Sequence, residues 1–407
     1  MTLSSDLASH SHPAHARAGR PSLRPSFLTE LDVWILTCYT VWLVVVGIAL
    51  AIALHVLAGH LSVHAGFKQV VVNTDAGWLR EIDVLGYRWN GNPSITSDIA
   101  FLPIYPLVVG IVHAMGLGWN GSAFLVSVVC QVVTLLLLGR LLVGSGASYR
   151  QVRWVIGFAL LYPAALFAVT GYGTTMLGML MVGAVLAYRR GHRTWAFLVA
   201  GLAAGVYYTG LAVPVALVVA ELRSRGVRSV LSPSGIGRMF LGVSTVLGFF
   251  VYLGDRFHNP FASISVQQAW TGTASIGSTL ERVLTLSAVP NGVLGYIGQR
   301  QEPALIHMLD TPFLLLLVIA TVWLFLGDHK IETWLLAVGA ALILYQSAKV
   351  NYPYSVTRLA YPFWLFLPMN VRVRRLMDRV TWTVPYLGCL AISCYWVTLL
   401  AQRLYTN

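Results

Sequence analysis

The sequence predicts an all-α, polytopic integral membrane protein, and three observations carry that prediction. Hydrophobic residues make up 57% of the 407-residue chain and charged residues only 10%, with a mean hydropathy of +0.71. That balance leaves too little polar side chain to cover a water-soluble globule. The apolar residues are gathered into long runs separated by short basic clusters, so the formal charge of +12 reads as a device for orienting spans. Nucleic acid is excluded as a partner on the same ground, and the lipid bilayer is included.

Residues 1–32 form the first unit, rich in Ser, His, Pro and Arg up to residue 26 and without an apolar run. This composition predicts a disordered cytoplasmic tail. His10, His12 and His15 have no carboxylate or thiolate company and make no metal site. Residues 33–407 are expected to form a single transmembrane domain, whose first span runs from Val33 to Leu57.

An external loop follows, residues 57–121, holding Asp75, Glu81, Asp83 and Asp98, four of only 15 acidic residues in the chain. Membrane proteins that keep carboxylates beside the bilayer generally use them. Trp78, Ile82 and Leu85 recur at i, i+4 and i+7 before Gly86, which predicts a helix lying on the membrane surface. Phe101 to Leu117 is expected to be a second surface helix. Only then do the clusters at Arg150 and Arg153, at Arg189, Arg190 and Arg193, at Arg223, Arg225, Arg228 and Arg238, and at Arg372, Arg374, Arg375 and Arg379 fall on one side with the Arg-bearing tail.

That choice sets the remaining spans at roughly 122–143, 154–171, 174–188, 237–254, 309–326, 332–348, 358–370 and 381–402, alternating in direction, several of them shorter than the ~20 residues a crossing needs. A second external loop covers 255–307. Trp195 to Ala220 is apolar throughout with basic residues at both ends, so it must enter and leave on one side. Two half-length helices meeting near Tyr207, Tyr208, Thr209 and Gly210 satisfy this, since broken backbone at membrane depth is tolerated inside protein; a single long tilted helix is the other reading. Cys38, Cys130, Cys389 and Cys394 lie in apolar runs and read as small core residues. The excess of Arg over Lys, with abundant Ala, Gly and Val, points to a GC-rich bacterial genome, hence a bacterial plasma membrane.

Several stretches carry a family resemblance. Asp75, Ala76, Trp78, Ile82, Gly86 and Tyr87, then Ala100, Phe101, Pro103, Tyr105, Pro106 and Leu107, follow the first-loop pattern of the GPI mannosyltransferase II (PIG-V) family and its bacterial relatives, within the GT-C class of lipid-phosphate-sugar-dependent glycosyltransferases. Phe257 to Trp270 and Tyr354 to Phe363 resemble later family segments in the same order. The resemblance implies a GT-C-type helical bundle, an external active site, Asp75 as catalytic base, and a polyprenyl-phosphate sugar, mannose by family expectation, as donor, with a glycan, glycolipid or protein acceptor. Asp83 stands where the family has Ala and inherits no role. The chain departs from the family at Thr174, where a Glu is usual in the segment beginning at Tyr172, and at Tyr207, where an Arg is usual. Losing an acid and a base together reads as a compensated change that spares the site an unpaired buried charge.

The chemistry also makes its own demands. An inverting transfer from a sugar phosphate needs one carboxylate to take the acceptor's proton and donors to stabilise the leaving phosphate. Arg358, with Lys349 and Arg80 behind it, is the candidate for the phosphate. Trp78, Tyr87, Tyr105, Tyr172, Tyr207 and Trp270 are candidate sugar or lipid contacts, and Gln267 and Gln268 candidates for hydroxyls; the aromatics read equally as an interfacial belt. Asp75 also has a plain reading as a helix cap beside Asn73 and Thr74. No dinucleotide fingerprint, phosphate loop, zinc pattern or D-x-D motif is present, so no cofactor or metal is expected. Two other classes stay open: a non-catalytic protein that binds a lipid-linked sugar or a partner enzyme, and a transporter or flippase, which the placement of acids in a loop disfavours.

Overall fold

The computed structural model describes residues 29–58, 62–72, 75–271, 274–288, 290–291, 302–326, 330–351 and 355–367, with 389, 393 and 397 as isolated positions. The tail with its three histidines, the cluster from Arg372 to Arg379, Tyr354, Cys394 and nearly all of the last expected span lie outside these residues. The described residues are helical, with no strand among them. The helices are α1 (Glu30–Ala58), α2 (Val63–Val71), α3 (Asp75–Leu85), α4 (Ile104–Ala114), α5 (Trp119–Gly144), α6 (Tyr149–Leu161), α7 (Thr174–Arg189), α8 (Arg193–Ala204), α9 (Ala212–Arg225), α10 (Pro233–Phe257), α11 (Ile276–Thr285), α12 (Glu302–Phe325), α13 (Ile331–Val350) and α14 (Val356–Trp364), besides a few single turns.

Four of them, α1, α5, α10 and α13, are long and apolar enough to cross a membrane, since 20 to 27 residues at ~1.5 Å each match a hydrocarbon core of ~30 Å. On α1, Val41, Val44, Val45, Ile48, Ile52 and Val56 all point outward and are more than half exposed. A helix that turns such a face away from its own core is built for lipid. Its start is pinned by a reciprocal cap in which Thr29 and Asp32 bond each other's backbone amide and side chain. The capping box of Ser148 and Gln151 starts α6 in the same way.

The expected span over 154–171 is broken. α6 stops at Leu161, and the 3-10 helix Pro163–Val169 leaves at 73° to it. Proline at 163 drives Tyr162 into an extended backbone, φ −60 and ψ 134, and removes an amide the helix would have used. The expected hairpin over 195–220 is present as α8 and α9, separated by a break from Gly205 to Leu211. Arg193 at the start of α8 and Arg238 at the start of α10 both reach Glu221 near the end of α9, at 3.7 and 3.1 Å. The two arms therefore begin and end together.

Among the described residues, ion pairs and ring contacts gather Arg140, Arg153, Arg189, Arg193 and Arg238 at one end of the bundle. Arg140, late in α5, meets Asp32 of α1 at 3.7 Å, and Arg153 of α6 lies over Trp34 of α1. Arg189, ending α7, meets Glu332 of α13 at 2.5 Å and Ser145 just beyond α5. Helix starts and helix ends alternate in this layer, as an up-and-down path requires. Here Glu221 and Glu332 are buried, and each is answered by arginine, because a lone buried carboxylate would be costly.

The opposite end is built from the first loop. It carries three helices where two were expected: α2, with Ser62 as its cap, precedes α3 and α4. Phe67 on α2 packs edge-on against Phe124 of α5. At 11 residues, α4 reaches only ~16 Å, too short to cross. Its Tyr105 is buried and bonds Ser127 of α5 at 3.1 Å, while His113 bonds Asp83 of α3 at 2.6 Å. The far end of α10 closes this layer, with Phe249 and Leu253 packed on Ile99 and Leu102.

The hairpin tip tests the packing. A Cβ on Gly210 would lie 2.1 Å from the Ala203 carbonyl oxygen, a backbone atom that cannot step aside, whereas one on Gly237 would meet nothing within 4 Å. Gly210→Ala is therefore expected to destabilise the protein by about 1–3 kcal/mol, read as a lower thermal midpoint in detergent, and Gly237→Ala to leave the midpoint unchanged or slightly raised.

Candidate functional site

Helix α14 begins without a cap of its own. Ser355 sits in the left-handed region at φ 49 and its side chain makes no capping bond. Asp310, buried on α12, does that work from outside, accepting Val356 N at 3.0 Å and Thr357 N at 2.9 Å, and a short bond from the Thr357 hydroxyl. Two of the orphan amides of the first turn are thereby satisfied. The same carboxylate opposes the positive end of the helix, where a cation one residue further on would otherwise be disfavoured. That cation is Arg358.

The Arg358 guanidinium lies 4.9 Å from the centre of the Tyr172 ring and 5.8 Å from that of Phe167, a cation–π seat on two rings that are themselves edge to face. Its Nη1 donates to Asp75 Oδ2 at 2.6 Å. The pair joins residues 283 positions apart. The Arg358 side chain is 13% exposed and that of Asp75 26%, and the Arg358 Nε is buried without a partner. One edge of the guanidinium is thus committed, while the carboxylate faces a partly open side.

Asp75 is the first residue of α3. Among the described residues its carboxylate bonds no amide of that first turn, so the plain capping reading does not describe its contact; Asn73 and Thr74 lie outside the described residues. Close packing brings it to Arg358. Gly171 donates its amide to the Val71 carbonyl at 2.9 Å, and a Cβ there would meet that oxygen at 2.8 Å and Ala76 at 3.2 Å. Glycine at 171 lets the segment before α7 lie directly against the start of α3, and the Tyr172 that follows it seats the same guanidinium that Asp75 bonds.

The tip of the α8–α9 hairpin completes the wall. Tyr207 packs over Gly173, where a Cβ would come within 3.3 Å of its ring, and its phenol stands within electrostatic reach of Arg358 and Asp75.

Other candidates lie elsewhere or are already committed. Tyr105 is fully in the core with its hydroxyl on Ser127, and Gln267 donates to the Ala100 carbonyl at 3.0 Å, so both hold the loop together and neither faces the pair. Tyr87 likewise donates to the Phe101 carbonyl at 2.9 Å and packs on Phe249 and Tyr252; burial, with the Asp98 carboxylate nearby, holds its phenol in the protonated form well above the usual range. Arg80 is exposed and meets no partner among the described residues. No described contact brings Lys349 to Arg358; its carbonyl accepts from Arg282 at 3.2 Å. Gln268 reaches Ser94 at 3.5 Å. Trp78 and Trp270 pack edge to face at 6.1 Å, adjacent to the pair through α3.

Three participants escaped the sequence reading. Asp310 is an acid within an apolar run from Leu305 to Phe325, and its isolation there was the available signal. Phe167 was hidden in a presumed span. The Asp83–His113 bond joins residues 30 apart whose proximity no local pattern reveals. Beside this end, an apolar cavity of about 330 Å³ is lined by Leu43, Leu50, Leu54, Phe67, Val70 and Phe124, among others.

Together these features define a helical membrane-type protein with a buried arginine and a half-open carboxylate closed on each other at the acidic end of the bundle. No family model, curated protein or solved structure matches the chain.

Removing the outside cap should loosen the pair. Asp310→Ala leaves two buried amides and a hydroxyl unanswered, at a cost of about 1–3 kcal/mol for each orphaned donor. A large fall in thermal midpoint is expected. Asp310→Asn keeps one acceptor and should fall less.

Proposed function

We propose that this chain is a membrane glycosyltransferase of the GT-C type, transferring a sugar, mannose in the first instance, from a polyprenyl-phosphate carrier to an external acceptor with inversion. The observation that carries the reading is the meeting of Asp75 and Arg358, one from the first loop and one from a late helix, each required by the chemistry. In the transfer, the acceptor hydroxyl oxygen forms the new bond to the anomeric carbon as the carbon–oxygen bond to phosphate breaks. Asp75 takes the hydroxyl proton. The departing phosphate leaves with the bonding electron pair and is stabilised by Arg358, whose planar fork suits it.

The closed pair adds a step. A donor phosphate and the Asp75 carboxylate compete for the same guanidinium, so seating the donor frees Asp75 to act as a base. Charge-assisted bonds to phosphate are as strong as those to carboxylate, which keeps the exchange nearly balanced. The apolar cavity beside α1 and α2 suits part of an isoprenoid tail, each methylene kept from water contributing ~0.8 kcal/mol. In the cell the protein is placed in a bacterial plasma membrane, N-terminus cytoplasmic, with the basic end inside and the Asp75 end outside.

One observation favours a second reading. With Asp75 closed on Arg358, the pair also suits a non-catalytic protein that binds a lipid-linked sugar or a partner enzyme. A transfer assay with radiolabelled polyprenyl-phosphate-mannose separates the two. Asp75→Asn keeps the shape and loses the base, so turnover should fall by about 10² to 10⁴ with the fold retained. Asp83→Asn, whose carboxylate serves His113, should change turnover little. Transfer that survives Asp75→Asn moves the base elsewhere; absence of transfer by the native protein favours the binder.

Orientation has its own check. A cysteine at Asn92, exposed in the first loop, should be labelled in whole cells by a membrane-impermeant maleimide, and one at Arg225, on the basic end, should be labelled only after lysis. The reverse pattern would overturn the placement.

A further inference from the structure

The first loop holds a second recess that the transfer chemistry does not use. It is an open groove of about 380 Å³ lined by Trp78, Arg88, Trp89, Thr96, Ser97 and Asp98, with Asn90 and Ile95 at its edge. Both indoles are held rigidly from behind, Trp78 against Trp270 at 6.1 Å and Trp89 against Phe257 at 6.2 Å. Asp98 forms the floor. Only 2% of its side chain is exposed, and its Oδ1 accepts from the Arg88 amide at 2.9 Å. Its Oδ2 stands 3.9 Å from Arg88 Nε, beyond hydrogen-bond reach, and has no bond among the described residues. Arg88 is turned instead to Glu81 at 2.6 Å, and Ser97 donates to the Arg88 carbonyl at 2.6 Å. Burial pushes the Asp98 carboxyl up, against the Arg88 amide and guanidinium, which pull it down.

We infer that this groove binds a neutral saccharide, and that it is the acceptor subsite of the transferase. Flat, rigid indole faces at two sides suit the C–H faces of sugar rings, and a few convergent polar groups between them suit hydroxyls, which both donate and accept. The charge balance selects against other guests. One guanidinium serves two carboxylates here, leaving a surplus of negative charge that repels phosphates and uronates. The groove also leads to the proposed base: Trp78 follows Asp75 by three residues on α3, one helical turn and the same side. The role as acceptor subsite rests on the transferase reading; the capacity to bind a saccharide does not.

The test is saturation-transfer NMR on the full-length protein in detergent, with di- to tetrasaccharides of mannose, glucose and arabinose as probes and a galacturonate trimer and a neutral tetrapeptide for comparison. Transfer to at least one neutral saccharide is expected. It should weaken about fivefold to tenfold in Trp89→Ala, and in Thr96→Phe, which fills the groove from an exposed position and removes no described bond. In the transfer assay, Trp89→Ala and Thr96→Phe should raise the acceptor KM with the donor KM unchanged. No signal from any neutral saccharide, signal indifferent to both variants, or stronger signal from the galacturonate or peptide would overturn the inference. Saccharide binding without any transfer would instead overturn the transferase reading and leave the groove standing.

Discussion

The Asp75–Arg358 contact is the interaction on which the acidic end of this protein depends. A guanidinium this far from solvent needs a counter-charge, and supplying one draws in distant parts of the chain. Asp310 reaches across from α12 to cap α14 and so fixes where the arginine starts. Tyr172 and Phe167 give it a seat. Gly171 lets α3 approach closely enough for Asp75 to meet it. Each of these placements costs little alone, and together they leave the guanidinium one geometry and the carboxylate one partner.

Buried acids at the basic end are answered in the same way. Glu221 takes two arginines and Glu332 takes Arg189, so the basic end is a lattice of answered acids. At the opposite end Arg358 is matched by Asp75 at 2.6 Å. Both ends thus obey one rule: in a medium that does not screen, charges are kept matched or omitted.

Much of this was legible in the sequence. Hydropathy and the spacing of Arg clusters gave the helical class, the long spans and the α8–α9 hairpin, because length and flanking charge are local properties. Asp75 was one of four acids gathered in the first loop of an acid-poor chain and was singled out among them by the family resemblance, and Arg358 by its residue type at a span end. What local pattern does not hold is pairing. That Asp75 meets Arg358 and that Asp310 caps the helix beginning at Val356 are consequences of packing between helices far apart in the chain. The bend at Pro163 was visible as a proline and misjudged, since an apolar run of the right length masked it. The short helix α2 went unseen because nine residues carry too little periodicity.

The hairpin has a consequence for how the protein is made. Neither arm, at 12 and 14 residues, is long enough to hold a place in a bilayer as an independent crossing, and the broken backbone between them has polar groups that lipid would leave bare. The arms find their partners in α7, α10 and α13, and α10 and α13 are both synthesised later. The hairpin therefore cannot be finished as it leaves the ribosome. It must wait at the membrane surface, or half-inserted, until the helices that follow have arrived to receive it, so the wall bearing Tyr207 is not finished before most of the chain has been made. Assembly of the site is tied to completion of the chain, and a truncated product would hold an Asp75 loop with no finished pocket behind it.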